Sequence, residues 1–174
     1  MKNVILIGFM GTGKSSCGRV LAHQLGFRFV DLDRAIERRW HITIPEMFSR
    51  YGEEYFREKE RIMVKEYAGR KHIVLATGGG TVKNAENVAL LKTTGAIVCL
   101  TATPEVILSR TNRPGRRPVL DAKEKELGDR LLAVKALMEE RRYLYDCAGY
   151  QVDTGEKTPL QVAQEIMGYM KRIS

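Results

Sequence analysis

Residues 8–16 read Gly-Phe-Met-Gly-Thr-Gly-Lys-Ser-Ser, and they directly follow the apolar run 3–7, Asn-Val-Ile-Leu-Ile. The spacing GxxxxGK[ST] is typical of a phosphate-binding P-loop, in which glycines let backbone N–H groups surround phosphate oxygens. The apolar run predicts a buried parallel strand, and the pattern after Lys14 predicts an amphipathic helix. A glycine-rich turn that contains Lys-Ser by chance is the alternative, and the flanking strand and helix argue against it. The stretch therefore predicts a nucleoside triphosphate site.

Each polar residue of this loop has an expected role. The Lys14 ammonium would reach the β- and γ-phosphates, and the Ser15 hydroxyl would coordinate Mg²⁺. The nucleotide-binding residues expected here are Gly11, Thr12, Gly13, Lys14, Ser15 and Ser16.

Length and composition predict one compact enzyme domain spanning residues 1–174. No apolar stretch reaches the roughly 18 residues that a transmembrane helix needs. The first predicted strand follows directly after Met1-Lys2-Asn3, so we expect no signal peptide. The three cysteines have no metal-site or CxxC spacing, so we expect reduced thiols in a cytoplasmic protein.

The net charge of +8 raises the alternative of a nucleic-acid partner. However, many basic residues stand beside acidic ones, as in segments 57–61 and 139–142, a pattern typical of a solvated helix face. Excess positive charge also suits an enzyme that handles a triphosphate and an anionic second substrate. We therefore expect small-molecule substrates, with no nucleic acid and no membrane as partners.

Apolar strand-like runs alternate with helix-length segments along the chain. This alternation predicts an α/β fold with a parallel sheet covered on both faces. The predicted strands are 4–7, 27–30, 73–76, 96–100 and 150–152. The predicted helices are 14–24, 33–40, 45–68, 84–93, 104–110, 125–146 and 159–171.

One stretch, Thr-Asn-Arg-Pro-Gly-Arg-Arg-Pro-Val-Leu-Asp at 111–121, interrupts this alternation. A linker would explain its two prolines and one glycine, but not its three arginines. A lid that folds over phosphates explains both features. We therefore predict a mobile lid at about 111–123.

Two carboxylates, Asp31 and Asp33, end the second predicted strand. Ligands of parallel α/β sheets collect beyond the carboxyl ends of strands, so both side chains should point into the site if this segment stays extended. One could hold Mg²⁺ through water and the other could accept a proton from an attacking hydroxyl. The alternative is that Asp33 only caps the following helix.

Three consecutive glycines, 78–80, follow the third predicted strand. Because such a run costs conformational entropy, a close approach of backbone to a ligand explains it better than a plain turn. Arg57 and Arg141, taken singly, read as surface charges on helices.

The order of several short motifs along the chain gives information about function that the spacing within each motif does not. The chain resembles the shikimate kinase family, within the nucleoside-monophosphate-kinase-like branch of P-loop proteins, over almost its whole length. The resemblance rests on the P-loop, Asp31-Leu32-Asp33, Phe56-Arg57, Gly78-Gly79-Gly80, Arg110, Arg117-Pro118-Val119-Leu120, Arg141 with Leu144-Tyr145, and Val152-Asp153-Thr154 with Pro159. Val119 and Lys157 depart from the commoner family residues.

The resemblance implies a three-layer fold with five parallel strands in the order 2-3-1-4-5, as a monomer. It implies phosphoryl transfer from ATP to the 3-hydroxyl of shikimate in aromatic amino acid biosynthesis, with Mg²⁺ as cofactor. The shikimate-binding region would be about 32–60. The residues that hold shikimate would be Asp33 and Arg57 from this region, together with Gly79 and Arg141 from later in the chain. Arg117 would reach the ATP phosphates, and Arg110 with Lys157 would contact the nucleotide. Catalysis would involve Asp33, Lys14 and Arg117; Ser15 and Asp31 would hold the metal.

Three other functions remain open at this level. A kinase for another polyol acid, such as gluconate, would also use an arginine pair. A nucleotide-dependent switch would gain nothing from two substrate arginines, and the guanine-reading NKxD pattern is absent. A nucleic-acid-binding P-loop protein would show a salt-sensitive affinity for DNA or RNA.

Overall fold

The computed structural model describes all 174 residues, and its centre is a single parallel sheet. The order of the strands is β2-β3-β1-β4-β5, which confirms the predicted order 2-3-1-4-5. In the middle of the sheet, Leu6 pairs with Ala76 on one side and with Val98 on the other. The strands are β1 (Asn3–Ile7), β2 (Arg28–Asp31), β3 (Ile73–Ala76), β4 (Gly95–Thr101) and β5 (Tyr150–Asp153).

Nine α-helices and two 3₁₀ turns surround the sheet. The helices are α1 (Lys14–Leu25), α2 (Leu32–Trp40), α3 (Ile44–Tyr51), α4 (Glu53–Ala68), α5 (Ala85–Thr94), α6 (Pro104–Thr111), α7 (Pro118–Leu127), α8 (Arg130–Arg141) and α9 (Pro159–Arg172). The 3₁₀ turns are Thr81–Lys83 and Arg142–Cys147.

Two predicted helix boundaries are wrong, and glycine is the cause in both cases. The predicted helix 45–68 is two helices, because Gly52 adopts φ 85° and ψ 169° between them. The predicted helix 125–146 begins in α7 and continues as α8. Gly128 ends α7 at φ 75°, and the Asp129 carboxylate then caps α8 by accepting a hydrogen bond from the Leu132 N–H.

The sheet is covered on both faces, as the strand pattern predicts. In β1, Ile5 and Ile7 face a core shared with α2 to α8, whereas Val4 and Leu6 face a core shared with α1 and α9. This alternation buries every residue of β1. The P-loop therefore follows the central strand of the sheet, which lies between the two packed layers of helices.

All three cysteines are free thiols in the structure, with Cys17 and Cys99 buried and Cys147 half-buried. No helix of the chain combines the length and the apolar character that crossing a membrane requires.

The predicted lid is only partly irregular. Residues 112–117 form a loop, but α7 begins at Pro118 because proline suits the first position of a helix. Leu120 is fully buried beneath that helix. The mobility of this segment stays a prediction.

Candidate active site

One cleft of about 1130 Å³ lies beyond the carboxyl ends of β1, β2 and β3. The P-loop, the glycines 78–80 and the lid loop all contribute to its wall. Its cationic side chains are Lys14, Arg34, Arg57, Arg110, Arg116, Arg117, Arg141 and Lys157. Its carboxylates are Asp31, Asp33, Glu37 and Glu60. This excess of cations over carboxylates suits anionic ligands.

The P-loop has the backbone that phosphate binding requires. Gly11 and Gly13 adopt φ values of 76° and 94°, which L side chains rarely reach. The Lys14 ammonium is buried and donates to the carbonyls of Gly8 and Phe9 at 2.7 and 2.9 Å. Burial lowers the pKa of Lys14 to about 8, against the opposing charge of Asp33, so the ammonium stays mainly protonated at neutral pH.

Asp31 joins the P-loop helix to the second strand. Its Oδ2 accepts a hydrogen bond from the Ser15 hydroxyl at 2.6 Å, and its Oδ1 accepts one from the Arg34 N–H at 3.2 Å. The capping role weighed for Asp33 therefore belongs to Asp31. The two carboxylates also do not share an extended segment, because α2 begins between them at Leu32.

Asp33 lies in the first turn of α2 and still reaches the cleft. Its Oδ1 is buried and has no hydrogen-bond partner. Burial raises the pKa of Asp33 to about 7, with further contributions from the charges of Glu60 and Asp31. Lys14 and Arg117 oppose this shift. A carboxylate that titrates near neutrality is suited to accept a proton.

The three glycines 78–80 are explained by side chains that press against them. A Cβ on the first glycine would lie 2.8 Å from Oδ1 of Asp33. A Cβ on the second would lie 3.3 Å from Nη1 of Arg141, and one on the third would lie 2.6 Å from Nη2 of Arg57. The glycine run thus lets one carboxylate and two guanidinium groups converge on one side of the cleft.

Glu60 is a site residue that sequence reasoning missed. It is 1% exposed, although its charge-rich segment suggested a solvated face. One oxygen accepts from Nη1 of Arg57 at 2.9 Å, and the other accepts from the Thr81 hydroxyl at 2.7 Å. The missed signal is its spacing, since Glu60 shares the buried stripe of α4 with Phe56 and Val64.

Arg141 is 5% exposed, so the interpretation as a surface charge is wrong. It ends α8, and its guanidinium lies 5.7 Å from the centre of the Phe9 ring. It forms none of the ion pairs of the structure, whereas Arg57 pairs with Glu60 and with Glu53. A buried guanidinium without a carboxylate partner is costly, and it favours an anionic ligand.

Arg110 ties the nucleotide side of the cleft together. Its guanidinium donates to the Gly11 carbonyl at 3.1 Å and to both oxygens of Thr154 at 3.2–3.3 Å. The Thr154 hydroxyl in turn donates to the Thr12 carbonyl at 2.7 Å. Thr154 thus fixes the loop after β5 against the P-loop, a positioning role that its sequence motif did not reveal.

The other two predicted cations lie at the rim of the cleft. Lys157 is exposed and pairs with Glu165 at 2.7 Å. Arg117 is half-buried just before α7, and burial lowers its pKa, against the opposing charge of Asp33. The charge of Arg117 in turn opposes the upward shift in the pKa of Asp33 and contributes to the lowered pKa of Lys14.

Comparison with known proteins places this geometry in a family. The model of the family described as shikimate kinase matches residues 10–171. A shikimate kinase of Pelotomaculum thermopropionicum is 43% identical over 98% of this chain and 96% of its own length. One of Thermodesulfovibrio yellowstonii is 43% identical over 100% of this chain and 98% of its own length. The structure of Acinetobacter baumannii shikimate kinase in complex with shikimate has a TM-score of 0.93 at 36% identity, and covers 100% of this chain and 95% of that one.

Proposed function

This chain belongs to the shikimate kinase family, and we propose that its cleft aligns ATP and shikimate for transfer of the γ-phosphate to the shikimate 3-hydroxyl. The products are shikimate 3-phosphate and ADP. The single observation that carries the proposal is the buried, unpartnered Oδ1 of Asp33. It lies in the same cleft as the P-loop lysine and two guanidinium groups, which is where a hydroxyl nucleophile beside a phosphate would need a proton acceptor.

On the nucleotide side, the backbone amides of 11–16 and the Lys14 ammonium bind the phosphates. Arg110 borders the space for the base, because it already spans the P-loop and Thr154. Lys157 lies at the edge of this space, and its ion pair with Glu165 limits its freedom to contact the nucleotide.

The proposed metal ligands are the Ser15 hydroxyl and, through water, the Asp31 carboxylate. These groups fit Mg²⁺, which takes oxygen ligands and is usually held by one or two protein groups together with substrate phosphates. Their 2.6 Å hydrogen bond shows that both oxygens already share one corner of the cleft. When bound, Mg²⁺ neutralises charge on the phosphates.

On the acceptor side, Arg57 and Arg141 bind the shikimate carboxylate. Guanidinium groups suit this role, since their N–H donors match the two oxygens of a carboxylate. The backbone of Gly79 lies between Arg141 and the P-loop, because a Cβ there would be 3.3 Å from Nη1 of Arg141 and 3.2 Å from the Met10 nitrogen. Asp33, on the same wall, is left to accept a hydrogen bond from a ring hydroxyl.

In the transfer step, Asp33 orients the 3-hydroxyl and accepts its proton as the oxygen attacks the γ-phosphorus. The bond between that phosphorus and the β,γ-bridging oxygen breaks, and ADP leaves. Lys14 and Arg117 stabilise the charge on the transferring phosphoryl group, which is where most catalysis of phosphoryl transfer lies. Arg117 reaches this position from the lid segment, whose closure over the substrates is part of the proposal.

The first prediction concerns the substrate. Purified protein with MgATP is expected to release ADP rapidly when shikimate is added, because the arginine pair and Asp33 match a ring that carries a carboxylate and hydroxyls. A coupled ADP-release assay measures this, with gluconate and nucleoside monophosphates as comparison acceptors. Comparable rates with all three acceptors would contradict the assignment.

The second prediction concerns the arginine pair. Arg57→Ala and Arg141→Ala are each expected to raise the Kd for shikimate roughly 10- to 100-fold, because a hydrogen bond to a charged group contributes about 1.5–3 kcal/mol. ATP affinity should change little. Calorimetric titration with each ligand measures both affinities.

The structure also predicts a difference between these two variants. Arg57→Ala leaves the buried Glu60 without its ion-pair partner and should lower the melting temperature. Arg141→Ala removes a buried cation that has no such partner and should not. Arg50, an exposed arginine on α3, supplies the matched control Arg50→Ala. Normal shikimate affinity in both site variants would show that neither arginine binds the carboxylate.

A further inference from the structure

The loop that carries Arg117 is tied to the first turn of α7 through the side chain and the backbone of Asp121. Oδ2 of Asp121 accepts a hydrogen bond from the Gly115 N–H at 3.0 Å, two residues before Arg117. The Asp121 N–H donates to the Arg117 carbonyl at 2.8 Å, which is the first backbone hydrogen bond of α7 and does not depend on the side chain. Gly115 adopts φ 82°, a conformation that residues with a side chain adopt only with strain. The Asp121 carboxylate therefore anchors the loop backbone two residues before Arg117.

Arg130 connects this carboxylate to the helices on either side of the loop. Its Nη1 donates to Oδ1 of Asp121 at 3.0 Å and to Oε2 of Glu124 at 2.6 Å. Its Nε donates to the carbonyl of Thr111, the last residue of α6, at 3.0 Å, and its Nη2 donates to the same oxygen. The Arg130 side chain is 11% exposed. One guanidinium thus joins the end of α6, the first turns of α7 and the start of α8.

The same connections reach the P-loop. A Cβ on Gly11 would lie 2.7 Å from the Thr111 methyl group, so that methyl group packs directly on the loop expected to hold the phosphates. Contacts therefore run without a gap from the P-loop through Thr111 and Arg130 to Asp121 and the backbone of Arg117.

We propose that Asp121 and Arg130 form a clasp that positions Arg117 over the phosphates of ATP. Both are positioning residues, since their side chains act on Arg117 through the loop backbone. The inference rests on the proposed role of Arg117 in phosphoryl transfer, and it adds the residues that place it.

A second ion pair provides a matched comparison. Lys123, also on α7, pairs with Glu140 on α8 at 3.2 Å and with Glu126 at 3.4 Å. It joins the same two helices as Arg130 but makes no hydrogen bond to residues 111–117. If the clasp merely held α7 on α8, loss of the Lys123 pair would have the same consequence as loss of Asp121.

The test is a kinetic mutant cycle in the full chain. Asp121→Ala is expected to lower kcat about tenfold or more, because displacement of a catalytic group by about 1 Å costs up to about 100-fold. KM for shikimate should change less than about threefold. Arg130→Lys should behave similarly, since an ammonium cannot bridge a carbonyl and two carboxylates as the planar guanidinium does.

Two further variants serve as controls. Asp121→Asn keeps one acceptor oxygen and should retain intermediate activity, so it tests the clasp even where the alanine variant fails to fold. Lys123→Ala should retain the kcat of the unmodified chain.

The decisive comparison uses a background without Arg117. In Arg117→Ala, adding Asp121→Ala should change kcat less than about twofold, because there is no longer a guanidinium to position. The clasp would be overturned if the fold-losses in kcat of Asp121→Ala and Arg117→Ala multiplied in the double variant. It would also be overturned if Lys123→Ala lowered kcat as much as Asp121→Ala. If Arg117→Ala lowered kcat as expected but Asp121→Ala did not, the clasp would be overturned and the catalytic role of Arg117 would stand. Normal turnover in Arg117→Ala would instead overturn the catalytic role on which the clasp rests.

Discussion

Asp33→Asn is expected to lower kcat about 10²- to 10⁴-fold, the range that general acid–base catalysis contributes. Asparagine keeps the shape of the side chain but cannot take the proton of the attacking hydroxyl. Folding should be spared, since Asp31 and not Asp33 caps α2. Steady-state ADP release with shikimate and MgATP measures the loss.

The pH profile gives an independent signature of this role. Because the pKa of Asp33 is raised to about 7, the carboxylate that accepts the proton predominates above that pH. The kcat/KM for shikimate should therefore rise with pH and should fall as the pH is lowered through about 7. This limb should disappear in Asp33→Asn.

Stability should move in the opposite direction from activity. A carboxyl group whose pKa is raised on folding binds more protons in the folded than in the unfolded state between its unfolded value and about 7. Its contribution to stability therefore falls as pH rises through that window. At pH 8, Asp33→Asn should melt no lower than the unmodified chain, because a neutral amide replaces a buried anion. Near-normal turnover, or loss of activity only through unfolding, would contradict the base role.

Arg117→Ala is expected to lower kcat about 10²-fold or more, with a smaller effect on shikimate affinity. The guanidinium is placed to stabilise charge that develops on the transferring phosphoryl group, and loss of one such donor typically costs about 10²- to 10³-fold in kcat. Single-turnover kinetics with saturating ATP and shikimate separates this step from product release. Arg113→Ala is the matched control, since Arg113 is an exposed arginine of the same loop and does not line the main cleft.

Movement of the lid segment that carries Arg117 can be tested by a measurement that does not depend on turnover. Hydrogen exchange at the amides of 112–117 should slow when nucleotide and shikimate are both bound. Equal exchange in the free and bound protein would show a fixed loop. An unchanged kcat in Arg117→Ala would exclude a role for this side chain in transfer.

The sequence alone determined those features that short stretches of chain encode. The P-loop is contiguous, and its preceding strand and following helix are patterns of neighbouring residues, so all three could be predicted correctly. Strand–helix alternation likewise predicted a parallel sheet. The strand order came from the family resemblance, because periodicity along a strand does not say which strand lies beside it.

Tertiary structure decided which charges are buried and what faces them. Glu60 and Arg141 look like ordinary helix charges in the sequence, yet they are 1% and 5% exposed because their helices turn those faces to the core and the cleft. Only the fold shows that the glycines 78–80 give room to Asp33 and two arginines. These contacts join residues far apart in the chain, and local pattern carries no information about such distances.

In the lid segment, some features could be predicted from the sequence and others only from the tertiary structure. Its prolines, glycine and arginines predicted a phosphate-covering loop. The helix that begins at Pro118 and the Arg130 contacts to Thr111 and Asp121 emerged only in three dimensions. Sequence determines which groups are available for phosphate chemistry, because side-chain type and local conformation are local properties. Tertiary packing decides their burial, their partners and thus their pKa values, because these depend on atoms that other elements bring near.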